Sequence, residues 1–360
     1  MKGLRKTETR TMTDFIKKLE KEFNTQIIPS NEHIWENYYD VDEDGNVKTL
    51  YLNKVDLKDL DVLLPIADSL VKLSLTYCNV EMLCPLNAFS RLETLDLTGN
   101  ELPAKTLRYL GDLKSLRNLD LGATELKDTS LLGDLINLEI LYISCNPYLE
   151  VNGLEHLKFL QRLDVSLTRI DHIKKINVNE NIRSLNIGET NIKRITDLER
   201  FPDLEELRAN GNLIEKIEGL DTLHNLKQLL ISCTHVEEID GLESLTNLEV
   251  LDLSNNEISK IKGLDNLKNL RELNLNENKI TKVENLDHLI NLEYLIFEAN
   301  KIKEFDASFL SNLVSECFIS LCFTGNYIKE IKDVPKNVTI KFEDDHFVPR
   351  IFTISNNLFR

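Results

Sequence analysis

Few residues in this chain have the types and spacing for chemistry, and the most suggestive set stands near its start. Asp40, Asp42, Asp44 and Gly45 follow the D-x-D-x-D-G spacing that opens a calcium loop. Such a loop closes on a bidentate carboxylate at its twelfth position, and here that position is Tyr51. Asp44-Gly45-Asn46 therefore reads as a hairpin turn leading into a strand at Val47, and no metal site is expected. The seven histidines, His33, His156, His172, His224, His235, His288 and His346, contain no H-x-x-x-H pair and no Cys-His cluster. The six cysteines, Cys78, Cys84, Cys145, Cys233, Cys317 and Cys322, have no C-x-x-C or metal spacing. They suit small hydrophobes in a reducing compartment. With no G-x-S-x-G elbow and no glycine-rich phosphate loop, the sequence points to no catalytic residues, no cofactor and no enzyme, the alternative being an enzyme whose site assembles from residues distant in sequence.

What must position any functional side chain is a repeat. Leu248, Leu251, Leu253, Asn256 and Ile258 form the frame L-x-x-L-x-L-x-x-N-x-I, which returns 22 residues later at Leu270 and again at Leu292. Leu251 and Leu253 are two apart, so in a strand both face inward while Val250, Asp252 and Ser254 face outward. The Asn amide can both donate and accept, which suits it to unpaired backbone groups in the turn. Ile258, Ile261, Leu264, Leu267 and Leu270 recur every third residue, a period that predicts 3₁₀-like turns on the return leg. Turn positions run from Val55 and Cys78 through Asn100, Thr124, Asn146, Thr168, Thr190, Asn212, Thr234, Asn256, Asn278 and Asn300 to Asn326, which gives 13 strands in one unbroken array. Gly153, Gly219, Gly241 and Gly263 share one place on the return leg, where a turn is required.

Residues 1–46 are expected to form an N-terminal helical cap: a frayed start at 1–10, a helix from Thr11 to Asn24 with Thr11 and Asp14 as a capping box, and a second short helix over Pro29–Tyr39 that buries Trp35. Residues 47–334 hold the repeats, and 335–360, with Val338, Ile340 and Phe342 alternating, form a last strand and C-terminal cap. The chain is 42% hydrophobic and 29% charged, enough to bury a solenoid core. Its net charge of -17 argues against nucleic acid and for a basic protein partner. Residues 1–25 have no apolar h-region and no run approaches a membrane span. A cytoplasmic monomer without a membrane partner is expected, and the N-x-T sequon at Asn337 reads as a chance match.

Segments such as NLEVLDLSNNEISKIKGLDNL resemble the 22-residue subclass of leucine-rich repeats, which includes the type-one phosphatase regulatory subunit and the internalin repeat domains. The resemblance covers about Val47 to Ile331. It implies an α/β solenoid: a right-handed leucine-rich-repeat superhelix with a parallel concave β-sheet and a mostly 3₁₀ or extended convex side. It also implies a protein-interaction scaffold or regulatory subunit that uses the concave face; a secreted or host-directed bacterial factor would use the same repeats. On that face the residue between the two inner leucines is the informative one. Asp96, Asp120 and Asp164 form an acidic track. Tyr142, Leu230 and Ile296, with Val250 and Tyr294 one column over, are expected as exposed apolar exceptions and so as protein-binding residues, with Arg208, Asp252 and Asp164 as polar neighbours. Side chains so placed would be replaceable by Arg without loss of stability.

Overall fold

Two leucines on one side of a three-residue strand cannot be buried by that strand alone; they are buried only when copies of the unit stack. A computed structural model of the chain describes residues 4–30, 36–312, 320–322, 325–327, 330–332 and 340–341. Although the frame runs unbroken in sequence, the chain divides into two compact units. One is Met1–Arg169 with Lys175–Ile182, and the other Ile170–Lys174 with Arg183–Arg360.

The first unit begins with helix α1 (Leu4–Phe23). The helix starts earlier than expected, because nothing from Leu4 onward breaks it, and Thr11 lies inside it rather than at its cap. The second short helix is replaced by strands β1 (Ile28–Pro29) and β2 (Tyr38–Val41); Trp35 lies outside the described residues. Asn37 explains the extended path: Nδ2 donates to Thr25 Oγ1 at 2.7 Å and Oδ1 accepts from Asn53 N at 2.7 Å. Tyr38 and Tyr51 stack with ring centroids 5.2 Å apart. Strand β2 pairs antiparallel with β3 (Val47–Asn53), so the expected hairpin forms. Asp42 Oδ1 accepts from Asp44 N at 3.0 Å and Asn46 N at 2.9 Å, which commits that carboxylate to the turn.

From β3 the sheet continues in parallel through β4 (Lys72–Thr76), β5 (Thr94–Asp96), β6 (Asn118–Asp120), β7 (Ile140–Tyr142) and β9 (Arg162–Asp164). On the return legs β8 (Val151–Leu154) pairs with β10 (Ile176–Val178). In the second unit β11 (Ser184–Asn186), β12 (Glu206–Arg208), β13 (Gln228–Leu230), β14 (Val250–Asp252), β15 (Glu272–Asn274) and β16 (Tyr294–Ile296) are consecutive parallel neighbours. Strand β17 (Glu304–Asp306) stands on the return leg. Beyond β16 the sheet continues in parallel to β18 (Ser320–Cys322) and ends on β20 (Ile340–Lys341); β19 (Glu330–Lys332) pairs with β17. The strand register is the one the frame predicts, since Leu207, Leu229, Leu251, Leu273 and Leu295 pair in a row.

The turn asparagines form a ladder. Asn100 Oδ1 accepts from Cys78 N at 3.0 Å and Val80 N at 2.9 Å, in the preceding repeat. Its Nδ2 donates to Leu75 O and Leu97 O, both at 2.7 Å, joining the same two repeats. Asn278 does the same with Ile258 N, Leu253 O and Leu275 O, and Asn146, Asn212, Asn256 and Asn300 follow the pattern. Where Thr stands, one bond replaces several: Thr168 Oγ1 donates to Val165 O at 2.8 Å. Thr190 Oγ1 lies 2.9 Å from the equivalent carbonyl, Ile187 O, and 2.7 Å from the next rung, Asn212 Oδ1.

The return legs carry the three-residue period as single turns. Leu223 N donates to Leu220 O and Leu226 N to Leu223 O, both at 3.0 Å. Gly241 sits at φ +70°, where a Cβ would lie 2.7 Å from Ile217 O. The same column holds Asp197 and Asn285 at φ 65° and 61°, residue types that tolerate this conformation.

Asn278→Ala removes four bonds and leaves buried backbone groups unserved, so chemical denaturation should show a loss of about 1–3 kcal/mol, with Asn278→Thr losing less. Gly241→Ala should also destabilise, since both its φ and its Cβ are refused.

Candidate functional site

The sheet face turned away from the core offers one column of side chains per strand position. In the first unit the middle column reads Tyr51, Ser74, Asp96, Asp120, Tyr142 and Asp164, in register. The acidic track is therefore assembled as expected, but its carboxylates also serve the backbone. Asp96 Oδ1 accepts from Thr98 N at 2.9 Å, Asp120 Oδ1 from Gly122 N at 2.8 Å and Asp164 Oδ1 from Ser166 N at 2.8 Å. Each closes an Asx turn that ends its strand. Asp96 is buried and its Oδ2 accepts from Ser74 Oγ at 2.8 Å; Asp120, Tyr142 and Asp164 are half-buried. Burial, and then the neighbouring Asp96 carboxylate, push the Asp120 carboxyl up to about 7. Burial also raises the Tyr142 phenol.

The second unit repeats the device at Asn186, Asp252 and Asn274, whose Oδ1 atoms accept from Gly188 N, Ser254 N and Asn276 N at 3.0, 2.9 and 3.1 Å. Leu230 and Ile296 cannot accept. There the preceding repeat substitutes: Asn210 Oδ1 accepts from Ser232 N at 2.9 Å and Asn276 Oδ1 from Glu298 N at 2.7 Å. Sequence reading missed Asn210 and Asn276. The clue was available, since each stands 20 residues before the apolar residue that breaks the D/N-x-[STGN] pattern.

Arg208 and Tyr294 are half-buried on this face, and Arg208 Nε bonds Glu206 within its own strand. The expected exposed apolar patch is not exposed. Leu230, Val250 and Ile296 are buried in a single hydrophobic cluster, and Asp252 is buried with them. Apolar surface on a sheet face is covered when anything can cover it, because each such side chain gains about 1.5–3 kcal/mol by leaving water.

Along the strand-entry edge of the second unit, Arg183, Glu205, Lys227, Glu249, Arg271 and Glu293 alternate in sign. Glu205 joins Arg183 at 2.7 Å and Lys227 at 2.6 Å, and these bonds hold its carboxyl below the usual carboxylate range. The cavity there, about 250 Å³, is lined by these ion pairs and by Asn225, Asn247 and Asn269. Those amides are already bonded to Pro202 O, His224 O and Thr246 O. The edge therefore aligns repeats and holds little unspent donor capacity. Two described histidines stand on return legs: His224 is exposed, while His288 is half-buried with Nε2 2.8 Å from Leu264 O. Among the described residues no three His, Cys, Asp or Glu gather as metal ligands, and no helix is long and apolar enough to cross a membrane. Cys78 is buried with its thiol pushed up to about 11 by burial, a packing role.

Parallel strands every 22 residues, single-turn return legs and an asparagine ladder define a leucine-rich-repeat solenoid fold. Residues 224–266 and 268–312 each match the family model described as Leucine Rich repeats (2 copies), so those stretches of the chain are leucine-rich repeats. No curated protein matches it. Among solved structures it is similar to an internalin of Listeria monocytogenes, with TM-score 0.70 and 21% identity over 84% of this chain and 92% of that one. It is also similar to a chain of the glycosylated Toll–Spatzle complex of Drosophila, with TM-score 0.59 and 20% identity over 81% of this chain and 43% of that one. A third is the plant peptide hormone receptor RGFR1 in complex with RGF2, with TM-score 0.52 and 21% identity over 74% and 53%. At these identities the likeness is one of fold.

Because Leu230 and Ile296 are buried, Leu230→Arg and Ile296→Arg should each lower stability by about 2–4 kcal/mol in denaturation, the reverse of what an exposed patch would give. Asp120 has a folded value raised above its unfolded one, so its contribution is complete below about pH 4 and is lost as pH rises through about 7. Asp120→Asn keeps the Oδ1 acceptor, as Asn186 and Asn274 do naturally. Thermal melts should show it more stable than the parent at pH 8, with the difference vanishing toward pH 4.

Proposed function

We propose that this chain is a protein-binding scaffold or regulatory subunit that holds a protein partner on its open sheet face, and that it is not an enzyme. The observation that supports this most is the column Asp120, Tyr142 and Asp164 on adjacent strands of the first unit, half-exposed beside buried Asp96. Asx turns lock the carboxylates and backbone ladders lock the strands, so a partner pays little ordering entropy on this side. An aromatic ring between carboxylates is the kind of anchor that dominates protein interfaces. The chemistry fits a partner with a basic surface, and the net charge of -17 would steer it toward the chain. On the second unit's own sheet face, Arg208 and Tyr294 are half-buried. We place the chain in the cytoplasm as a monomer; its exposed thiols, Cys145 and Cys233, suit a reducing compartment.

Affinity capture from the native source, read by mass spectrometry at low and at raised salt, tests the reading. A protein with a basic surface should be retained and should weaken with salt. Tyr142→Ala and Asp164→Asn, the second keeping the Oδ1 acceptor of the turn while removing the charge, should each reduce its retention by ~10-fold or more while melting near the parent temperature. Equal retention by both folded variants would refute this use of the face.

A further inference from the structure

Where each strand of the first unit ends, one residue per repeat stands at the lip of the sheet, three positions after the middle column. Its backbone N–H donates to the next repeat: Tyr77 N to Thr98 O at 2.8 Å, Gly99 N to Gly122 O at 2.9 Å, and Ala123 N to Ser144 O and Cys145 N to Ser166 O at 3.0 Å. Leu167 holds the same place after β9. All five have left-handed backbone, with φ of 53°, 73°, 52°, 56° and 56° in chain order. That conformation favours Gly and Asn and works against a bulky side chain. Tyr77 and Leu167 nevertheless stand there, and they are 53% and 43% exposed. Neither backbone preference nor burial accounts for them. The second unit shows what the fold itself accepts, since its row mixes small residues with Glu189, Asn255 and Glu277, each at φ 50°. Bulky residues held in such conformations gather where proteins grip ligands.

The lip also differs in charge from what surrounds it. After Lys54 begins the row, it is uncharged for five repeats, in a chain that is 29% charged. The Tyr77 ring runs along it, because a Cβ on Gly99 would lie 2.3 Å from the ring's Cε1. Acid borders the lip on both sides. Asp96, Asp120 and Asp164 stand three residues before Gly99, Ala123 and Leu167, and exposed Glu101 and Glu125 stand beyond it, with Arg169 at the far end. Three residues of strand span at most ~10 Å, and the five repeats extend over ~19 Å. One segment laid across the repeats therefore meets both rows. In an extended segment successive side chains point to opposite sides. One side then faces the carboxylates and the other faces Tyr77 and Leu167, and charge complementarity makes the first side basic.

We propose that the partner's contact is an extended segment in which basic and aliphatic residues alternate, the basic ones on the Asp96–Asp120–Asp164 column and the aliphatic ones on the lip between Tyr77 and Leu167. This deepens the proposed function and rests on its reading of the acidic face. It adds the apolar half of the contact and the direction of the segment across the repeats.

Two fluorescein-labelled octapeptides, one alternating Arg and Leu and one alternating Arg and Ser, test it when the full chain is titrated into each and fluorescence anisotropy is followed. The parent should bind the Arg-Leu peptide ~10-fold or more tighter than the Arg-Ser peptide. The double variant Tyr77→Asn, Leu167→Asn copies the residue type at Asn255. It should melt at or above the parent temperature and narrow that ratio to ~3-fold or less. Absent or equal binding of the two peptides by the parent, or an unchanged ratio in the double variant, overturns the inference. Asp164→Asn should weaken both peptides and leave their ratio unchanged. If it weakens neither while the double variant still narrows the ratio, the acidic-face reading fails, and the basic half of this inference with it.

Discussion

The structure depends on one side-chain amide per repeat. A 22-residue unit reverses direction twice, and each reversal leaves backbone N–H and C=O groups that no strand ladder can serve. The turn asparagine serves them across the unit boundary, its oxygen taking N–H groups of the preceding repeat and its nitrogen reaching carbonyls of both. It sits inside the stack with the leucines, so the polar group is enclosed and its bonds are shielded from water, where an unmade bond is expensive. The leucines supply the driving force for stacking. The amide decides that the stack has one register, because a slip would strand its donors as well as turn the leucines outward.

The open sheet face shows how little of such a scaffold is free for function. The Asp and Asn residues that look like a recognition surface also end the strands, each accepting an N–H two residues on. Each of these side chains is therefore already committed to turn formation. Where the column turns apolar, at Leu230 and Ile296, the acceptor is moved to Asn210 and Asn276 rather than abandoned. That relocation frees the column for side chains chosen on other grounds, and the two it admits, Leu230 and Ile296, are buried.

Charges on the strand-entry edge have a similar organising part. Arg183, Glu205 and Lys227 meet in chain order because successive repeats place them one strand apart. Each pair is substantially exposed and worth little alone. Their alternation still disfavours a register that would set like charges side by side. The excess acidity that gives the chain its net charge lies elsewhere, including the half-buried Asp120, whose carboxyl sits near neutrality beside Asp96.

Strand positions, their inward leucines, the turn asparagines, the glycine column and the single-turn return legs were all legible in the sequence. Each rests on a local rule, a period of two, three or 22, that holds regardless of what lies far away in the chain. The residue pairs of the sheet face could be listed in order before any coordinate was known, and Asp96 beside Asp120 and Tyr142 beside Asp164 are where the frame put them. Exposure was not legible. Periodicity states which side of a strand a residue faces; it does not state whether that side meets water. Leu230, Val250 and Ile296 face outward by the frame and are buried by tertiary contacts. The start of the chain went the same way, because residues 28–41 have no repeat to constrain them, and the Asn37 and Tyr38 contacts to Asn53 and Tyr51 drew them into strands. A repeat sequence thus determines its own backbone, since each unit's neighbours are copies of itself, while the segments and faces that meet non-repeating chain are settled only when the whole molecule folds.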